Sequence, residues 1–335
     1  MTTGSWSFSK GLHEVGKGVW AYIQPDGSWG WSNAGLITDG EESLLVDTLF
    51  DLKLTDEMLC TMRDAVPSAR EIDTLVNTHA NGDHTFGNAL VADARIITTH
   101  VVADRLEEDG GDRLVNIAAS LADGSLGKRF ITEVFGPFDH AGIVHPPVSE
   151  TFTGEKWLKV GDKDVHLIDV GPAHTASDML VHVPKEGVVY TGDILFVGGH
   201  PAVWAGPIGN WIAACEMILK WDSEIIVPGH GPVCGKAEVA NFRDYLQYFY
   251  DEGKKRYDAG MGWREAAFDV AWGPFSEWGE AERVIINMAT LWRELSGIAE
   301  PVGSPELWEL MGRYHYEHKP RMAAAAACPV CDHSH

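Results

Sequence analysis

Two histidines, a carboxylate and an amide stand close together as His79, Asn81, Asp83 and His84 in the stretch Asn77-Thr78-His79-Ala80-Asn81-Gly82-Asp83-His84. Imidazole nitrogen and carboxylate oxygen are the donors that suit small divalent transition ions. On one turn, His79, Asp83 and His84 could converge on such an ion. Read without a ligand, the same stretch is a polar loop that caps a helix near Thr85. Three further polar residues each follow an apolar run and sit beside glycine or another small residue: His174, Asp193 and His230. A site assembled from several strand ends is how a rigid sheet aims ligands at one point. Together these residues offer four imidazoles and two carboxylates, enough for two ions that share a carboxylate.

The elements that must position these groups follow from pattern. Val19 to Ile23, Ala34 to Thr38 and Ser43 to Asp47 are short apolar runs separated by Gly-rich turns, with Asp39-Gly40 a hairpin signal, and they predict three antiparallel strands. Leu52 to Val66 has helical spacing and stops before Pro67. Ile72 to Val76 predicts a buried strand that ends in the histidine cluster, followed by a helix over Phe86 to Val91, a strand at Arg95 to Thr99 and a helix from Val101. Alternating strand and helix implies sheet covered by helices. Between about 107 and 155 the signal weakens, which predicts an insertion over or beside the site. Strands resume at Val165 to Val170, Met179 to Val183 and Gly187 to Tyr190, then a helix at Gly206 to Trp221 and a strand at Ile225 to Val227. From Lys236 to about Met311 the periodicity is helical, and five alanines then lead into Cys328, Cys331, His333 and His335.

Composition narrows the function classes. The chain has 335 residues, 45% apolar and 22% charged, and no run long enough to span a bilayer. Its formal net charge of −23 repels phosphate backbones, so a nucleic-acid partner is not expected. Five cysteines without framework spacing predict reduced thiols. The N-terminal residues lack a basic region followed by an apolar one, which predicts a cytoplasmic location with no membrane partner.

The order and spacing of these motifs resemble the metallo-β-lactamase superfamily of metal-dependent hydrolases. The resemblance runs from Gly18 to Gly235 and rests on Asp47-Thr48, the His79 to His84 cluster, Gly171-Pro172-Ala173-His174-Thr175, Thr191-Gly192-Asp193 and Pro228-Gly229-His230-Gly231. It implies a four-layer αββα sandwich of the α+β class with a helical C-terminal extension. The implied organisation is a catalytic domain over residues 1–235, a helical region over 236–320 and an Ala-rich tail over 321–335. It also implies two divalent ions, zinc first and iron or manganese as alternatives. His79, Asn81 and His174 match the ligands of the first ion, Asp83, His84 and His230 those of the second, and Asp193 the bridging carboxylate. Asn81 stands where the family carries histidine. An amide oxygen is a harder, weaker donor than imidazole, so the first site is expected to bind its ion less tightly or to favour a more oxygen-loving one.

The expected activity is hydrolysis of an ester, lactone, thioester or amide bond in a small organic molecule by a metal-activated water. Asp83 is expected to orient that water and receive a proton, and Asp47 to support the ligand loop by hydrogen-bonding an imidazole. Trp29 and Trp31 are either an apolar pocket wall or packing residues. His100, His140, His145, His166 and His182 have no partner at ligand spacing and are expected to be structural or solvated. Tyr314, His315, Tyr316 and His318 lie in a polar C-terminal segment. The Cys328 to His335 cluster has zinc-like ligands but no following core, and is expected to be a tail dispensable for activity. Two other classes compete: a non-hydrolytic metalloenzyme, whether iron redox, lyase or dehalogenase, and a degenerate metal-binding protein. Retention of six other ligand candidates beside Asn81 counts against degeneracy. A homo-oligomer is compatible with the helical C-terminal third.

Overall fold

The central strands are apolar on both faces, and this decides the architecture. In the computed structural model, which describes residues 6–108, 110–298 and 305–318, two sheets pack face to face and helices cover their outer faces. One sheet has seven strands in chain order: β1 (Gly11–Gly16), β2 (Val19–Ile23), β3 (Ala34–Asp39), β4 (Glu42–Val46), β5 (Thr74–Val76), β6 (Arg95–Thr99) and β7 (Glu150–Phe152). Its first four strands pair antiparallel and the rest are parallel. The other has five: β8 (Glu155–Val160), β9 (Lys163–Asp169), β10 (Met179–Val183), β11 (Val188–Tyr190) and β12 (Ile225–Val227). Only β11 and β12 pair in parallel there.

Alternation along each strand assigns its residues to two cores. Ile37, Leu44, Val46, Val181, Val183 and Val188 meet between the sheets. Leu36, Leu45, Leu180 and Val189 point outward to the helices. The sheets approach so closely at Gly35 that a Cβ there would overlap the Tyr190 ring, whose hydroxyl donates to the Trp20 carbonyl at 2.8 Å.

The helices in the first half are α1 (Leu52–Ala65), the single turn α2 (Gly82–Thr85), α3 (His100–Glu108), α4 (Asp112–Ser120) and α5 (Leu126–Phe135); α6 (Ile208–Lys220) follows β11. Beyond β12 come α7 (Lys236–Asp258), α8 (Trp263–Asp269), α9 (Val284–Ser296) and α10 (Pro305–Glu317). Where Phe86 to Val91 is expected as helix, the structure has α2 and then a separate 3-10 turn at Asn88–Val91. The chain is pinned between them, because a Cβ on Gly87 would overlap the Thr55 side chain. The expected strand from Ile72 begins two residues later, at Thr74. The weak stretch at 107–155 contains α4 and α5, and α5 packs along α10. The residues of the Cys328 to His335 cluster lie outside the described residues. Among the described residues no helix is long and apolar enough to cross a membrane.

Candidate metal centre

Parallel pairing carries the C-terminal ends of β4 and β5 to one edge of the first sheet, and those of β11 and β12 to one edge of the second. Asp47 follows β4, the His79 to His84 loop follows β5, Asp193 follows β11 and His230 follows β12. His174 arrives on the loop between β9 and β10. The ordinary hydrogen bonds of the loops then fix the side chains. Asp47 extends the β4–β5 pairing through its N–H to the Val76 carbonyl. Its carboxylate accepts from the Thr78 N–H and hydroxyl, both at 2.7 Å, and faces His84 Nδ1 at 3.0 Å. Asp47 has a φ of 61°, a conformation that a non-glycine residue keeps only where neighbours over-determine it. Asp178 holds the His174 loop by accepting from the Ala173 and Thr175 N–H groups. Gly229 is required for a different reason: a Cβ there would overlap Asp193 Oδ1.

All four imidazoles have one ring nitrogen engaged by the protein. His79 Nδ1 meets the Thr78 hydroxyl at 3.0 Å and His84 Nδ1 meets Asp47. His174 Nδ1 meets the Ala202 carbonyl at 2.6 Å, and His230 Nδ1 the Gly27 carbonyl at 3.1 Å. Such contacts fix ring orientation and present the other nitrogen as a lone-pair donor. Those other nitrogens converge. Asp193 Oδ2 is 3.2 Å from His174 Nε2 and 3.8 Å from His79 Nε2. Asp193 Oδ1 is 3.0 Å from His84 Nε2 and 3.5 Å from His230 Nε2. Asp83 Oδ2 is 3.3 Å from His230 Nε2.

This donor set fits a divalent cation. His79 Nε2, His84 Nε2, His174 Nε2 and Asp193 Oδ1 are buried and have no hydrogen-bond partner. Buried polar atoms without partners are costly and rare. Their ligand atoms group as His79, His84 and Asp193, and as Asp83, His84 and His230, each set within 4.8 Å. His84 thus stands between the two groups.

The protonation energetics are those of charges packed without solvent. Burial holds His79 well below its ordinary value, with His84 adding to the effect. For His84, burial is outweighed by the Asp193 and Asp83 carboxylates, which raise it well above the ordinary range. His230 is raised to about 9 because Asp193 overcomes the same penalty. Burial alone would raise Asp83, but His84 and His230 bring its carboxyl down to about 2. A divalent cation held by these residues would supply positive charge to the carboxylates.

The structure brings together His79, Asp83, His84, His174, Asp193 and His230, with Asp47 behind them. Asn81 precedes α2 without capping it through its side chain, and its carbonyl accepts from the His84 N–H and the Thr85 hydroxyl. Trp29 and Trp31 are half-buried. Trp29 donates its indole N–H to Glu282 at 2.8 Å and packs against Phe135, Trp204 and Trp308, while Trp31 packs against Phe138. His182 is stacked on Trp221, His166 on Trp157, and His100 meets the Thr151 hydroxyl. His140 lies against Phe50 and Phe138, and His145 against Phe86. Sequence reasoning missed the carbonyl anchors at Gly27 and Ala202, which carry no side-chain signature.

The family model of the metallo-beta-lactamase superfamily matches residues 27–230. The chain belongs to that superfamily. It is similar in fold to a metallo-beta-lactamase from Pontibacter korlensis, at 16% identity and a TM-score of 0.54, over 71% of this chain and 99% of that one. It is also similar to the stereoselective inverting sec-alkylsulfatase Pisa1 from Pseudomonas sp., at 16% identity and a TM-score of 0.61, over 87% of this chain. It spans about half of that longer protein, 51%.

Proposed function

We propose that the protein is a metal-dependent hydrolase of small organic molecules, cleaving an ester, lactone, thioester or amide bond. The observation that carries the reading is the set of buried, unpartnered imidazole nitrogens aimed at the Asp193 carboxylate. On this reading His79, Asn81 and His174 hold one divalent ion, Asp83, His84 and His230 the other, and Asp193 both. Such ions supply Lewis acidity and a water acidic enough to ionise near neutral pH. Asp83 orients the attacking water and accepts a proton at its carboxylate, which lies 3.3 Å from His230 Nε2 at the rim of the cluster. Asp47 fixes His84 in the tautomer that presents Nε2.

Zinc is the first choice of ion for an imidazole-rich site. Asn81 favours a second reading with iron or manganese, because the amide replaces a soft donor by a hard one and makes no hydrogen bond with the described residues that would hold it elsewhere. The test is a panel of aryl esters, thioesters, lactones, β-lactams and alkyl sulfate esters offered to chelator-stripped protein and to protein reloaded with zinc, iron(II) or manganese(II). The sulfate esters are included because one structural neighbour is an alkylsulfatase. Turnover confined to reloaded protein supports the reading. Turnover that survives stripping, or a reloaded protein inert toward the whole panel, sinks it.

A further inference from the structure

A cleft of about 220 Å³ borders His230, the one candidate ligand in its lining, and its walls include Gly27, Phe196, Gly199, Gly279 and Glu280. Phe196 lies parallel to the His230 ring at 5.1 Å, so one side is flat and apolar. The opposite polar group is Glu280, contributed by the helical C-terminal region and outside the stretch that matches the family model. Its backbone is held on the cleft by a short ladder: the Gly279 N–H donates to the Gly198 carbonyl at 3.0 Å, and the His200 N–H to the Gly279 carbonyl at 2.9 Å. The Arg283 N–H closes the following turn onto the Glu280 carbonyl. Glu280 has a φ of 57°, a conformation an L residue adopts at a cost and which is found at ligand clamps.

We infer that Glu280 is a recognition residue whose carboxylate takes the ammonium group of a cationic substrate lying in this cleft beside the metal centre. The inference rests on the metal-centre reading above. Several observations support it. The Glu280 carboxyl makes no hydrogen bond or ion pair with the described residues, although burial pushes it above the usual carboxylate range, with Arg283 opposing and Glu282 adding to the shift. A half-buried carboxylate without a partner, lining a cleft, is a place where a cation can bind. The nearby basic group is partly engaged elsewhere: the Arg283 guanidinium donates through Nη1 to the His200 carbonyl at 2.7 Å and stacks over Trp29 at 4.2 Å. Asp26, also on the cleft, adds a second negative charge while accepting from the Ser28 N–H. The formal charge of −23 favours a cation at longer range. Gly199 makes room for the carboxylate, since a Cβ there would lie 2.6 Å from Glu280 Oε2.

The test uses the full chain loaded with cobalt(II) and thiols that ligate the metal, so that binding is read from the thiolate-to-cobalt absorption band without turnover. Cysteamine and its homologue one carbon longer are compared with alkyl thiols of the same length that carry a methyl in place of the ammonium. The expected result is that the wild type binds at least one amino thiol about tenfold more tightly than its alkyl counterpart. In Glu280→Gln and in Gly199→Ala, with cobalt content equal to the wild type, that ratio falls close to one. Gly199→Ala keeps the carboxylate but displaces it, and it carries the test should Glu280→Gln fail to fold. A wild type with thiolate bands but no preference, or variants that keep the preference, overturns the assignment of Glu280 alone. Failure of every thiol to produce a band overturns the metal-centre reading and the assignment with it.

Discussion

Asp193 faces all four imidazoles of the site, and among the described residues no other side chain does so. Replacing it by alanine removes the shared negative charge and leaves two cations to repel each other, so Asp193→Ala is expected to fold and to lose metal from both positions. Elemental analysis beside a far-ultraviolet circular dichroism spectrum reads both outcomes, and wild-type metal content would contradict the shared role. Asn81→His is expected to tighten zinc at the first position and to merge two chelator-stripping steps into one. Unchanged zinc affinity in that variant and in Asn81→Ala would place the amide off the metal, where its loss raises KM alone. His79, Asp83, His84, His174, Asp193 and His230, which the structure brings together in front of Asp47, were legible because their segments follow apolar runs that end in polar groups, which is what a strand end at a site looks like in sequence; no contact of the described residues places the Asn81 side chain with them. The anchors behind them were not, since Gly27 and Ala202 act through main-chain carbonyls that any residue could supply.

Among the elements, β2 to β6 and β9 to β12 were readable where apolar runs are bounded by turn residues, whereas β1, β7 and β8, whose residues are largely half-buried or exposed, were not. The run before the histidine cluster illustrates the limit: Ile72 is buried beside the strand without belonging to it, and hydrophobicity alone does not separate the two. The helix α5 carried more signal than the sequence reading gave it. Ser125 caps it by accepting from the Lys128 N–H, and Phe130, Ile131 and Phe135 form its buried face. Its partner is α10, from the far end of the described chain, and the two cross closely. A Cβ on Gly127 would lie 2.7 Å from the Glu309 Cα, and one on Gly312 would overlap the Leu126 carbonyl. Backbone cannot yield as a flexible side chain can, so Gly312→Ala is expected to cost about 1–3 kcal/mol as overpacking does. A fall of several degrees in Tm would show it. An unchanged Tm would mean that α10 is not seated on α5 in solution. Because Trp308 of α10 packs against Trp29, the same variant tests whether the helical region braces the loop that carries Gly27.

The molecule as a whole joins an acidic surface to an interior rich in histidine, and the two respond to pH differently. His182 is depressed to about 4 by burial with His166 adding to it, and His200 to about 3 by burial against the opposing pull of Glu282. Each is therefore neutral when folded and binds a proton more readily when unfolded. The stability this provides is complete above the ordinary value of 6.5 and is lost as pH falls toward those depressed values, at about 1.4 kcal/mol per pH unit for each group. Urea unfolding between pH 7 and pH 5 should show the loss, and His182→Gln should make the slope shallower; an equal slope in the variant would contradict the burial of that ring. Net charge pointed away from polyanions as partners, and that inference needed only composition. The bond cleaved is not written there; the cleft beside His230 is built by the family stretch and the C-terminal region together, and on the proposed reading it is what selects the substrate. The most direct test of the central claim is a titration of chelator-stripped protein with divalent metal, followed by turnover of a substrate found in the panel. The stripped protein should be inactive, and turnover should rise with added metal and saturate at about two equivalents per chain, as expected of a paired-ion site. Turnover in the stripped protein, or turnover indifferent to added metal, would contradict the account.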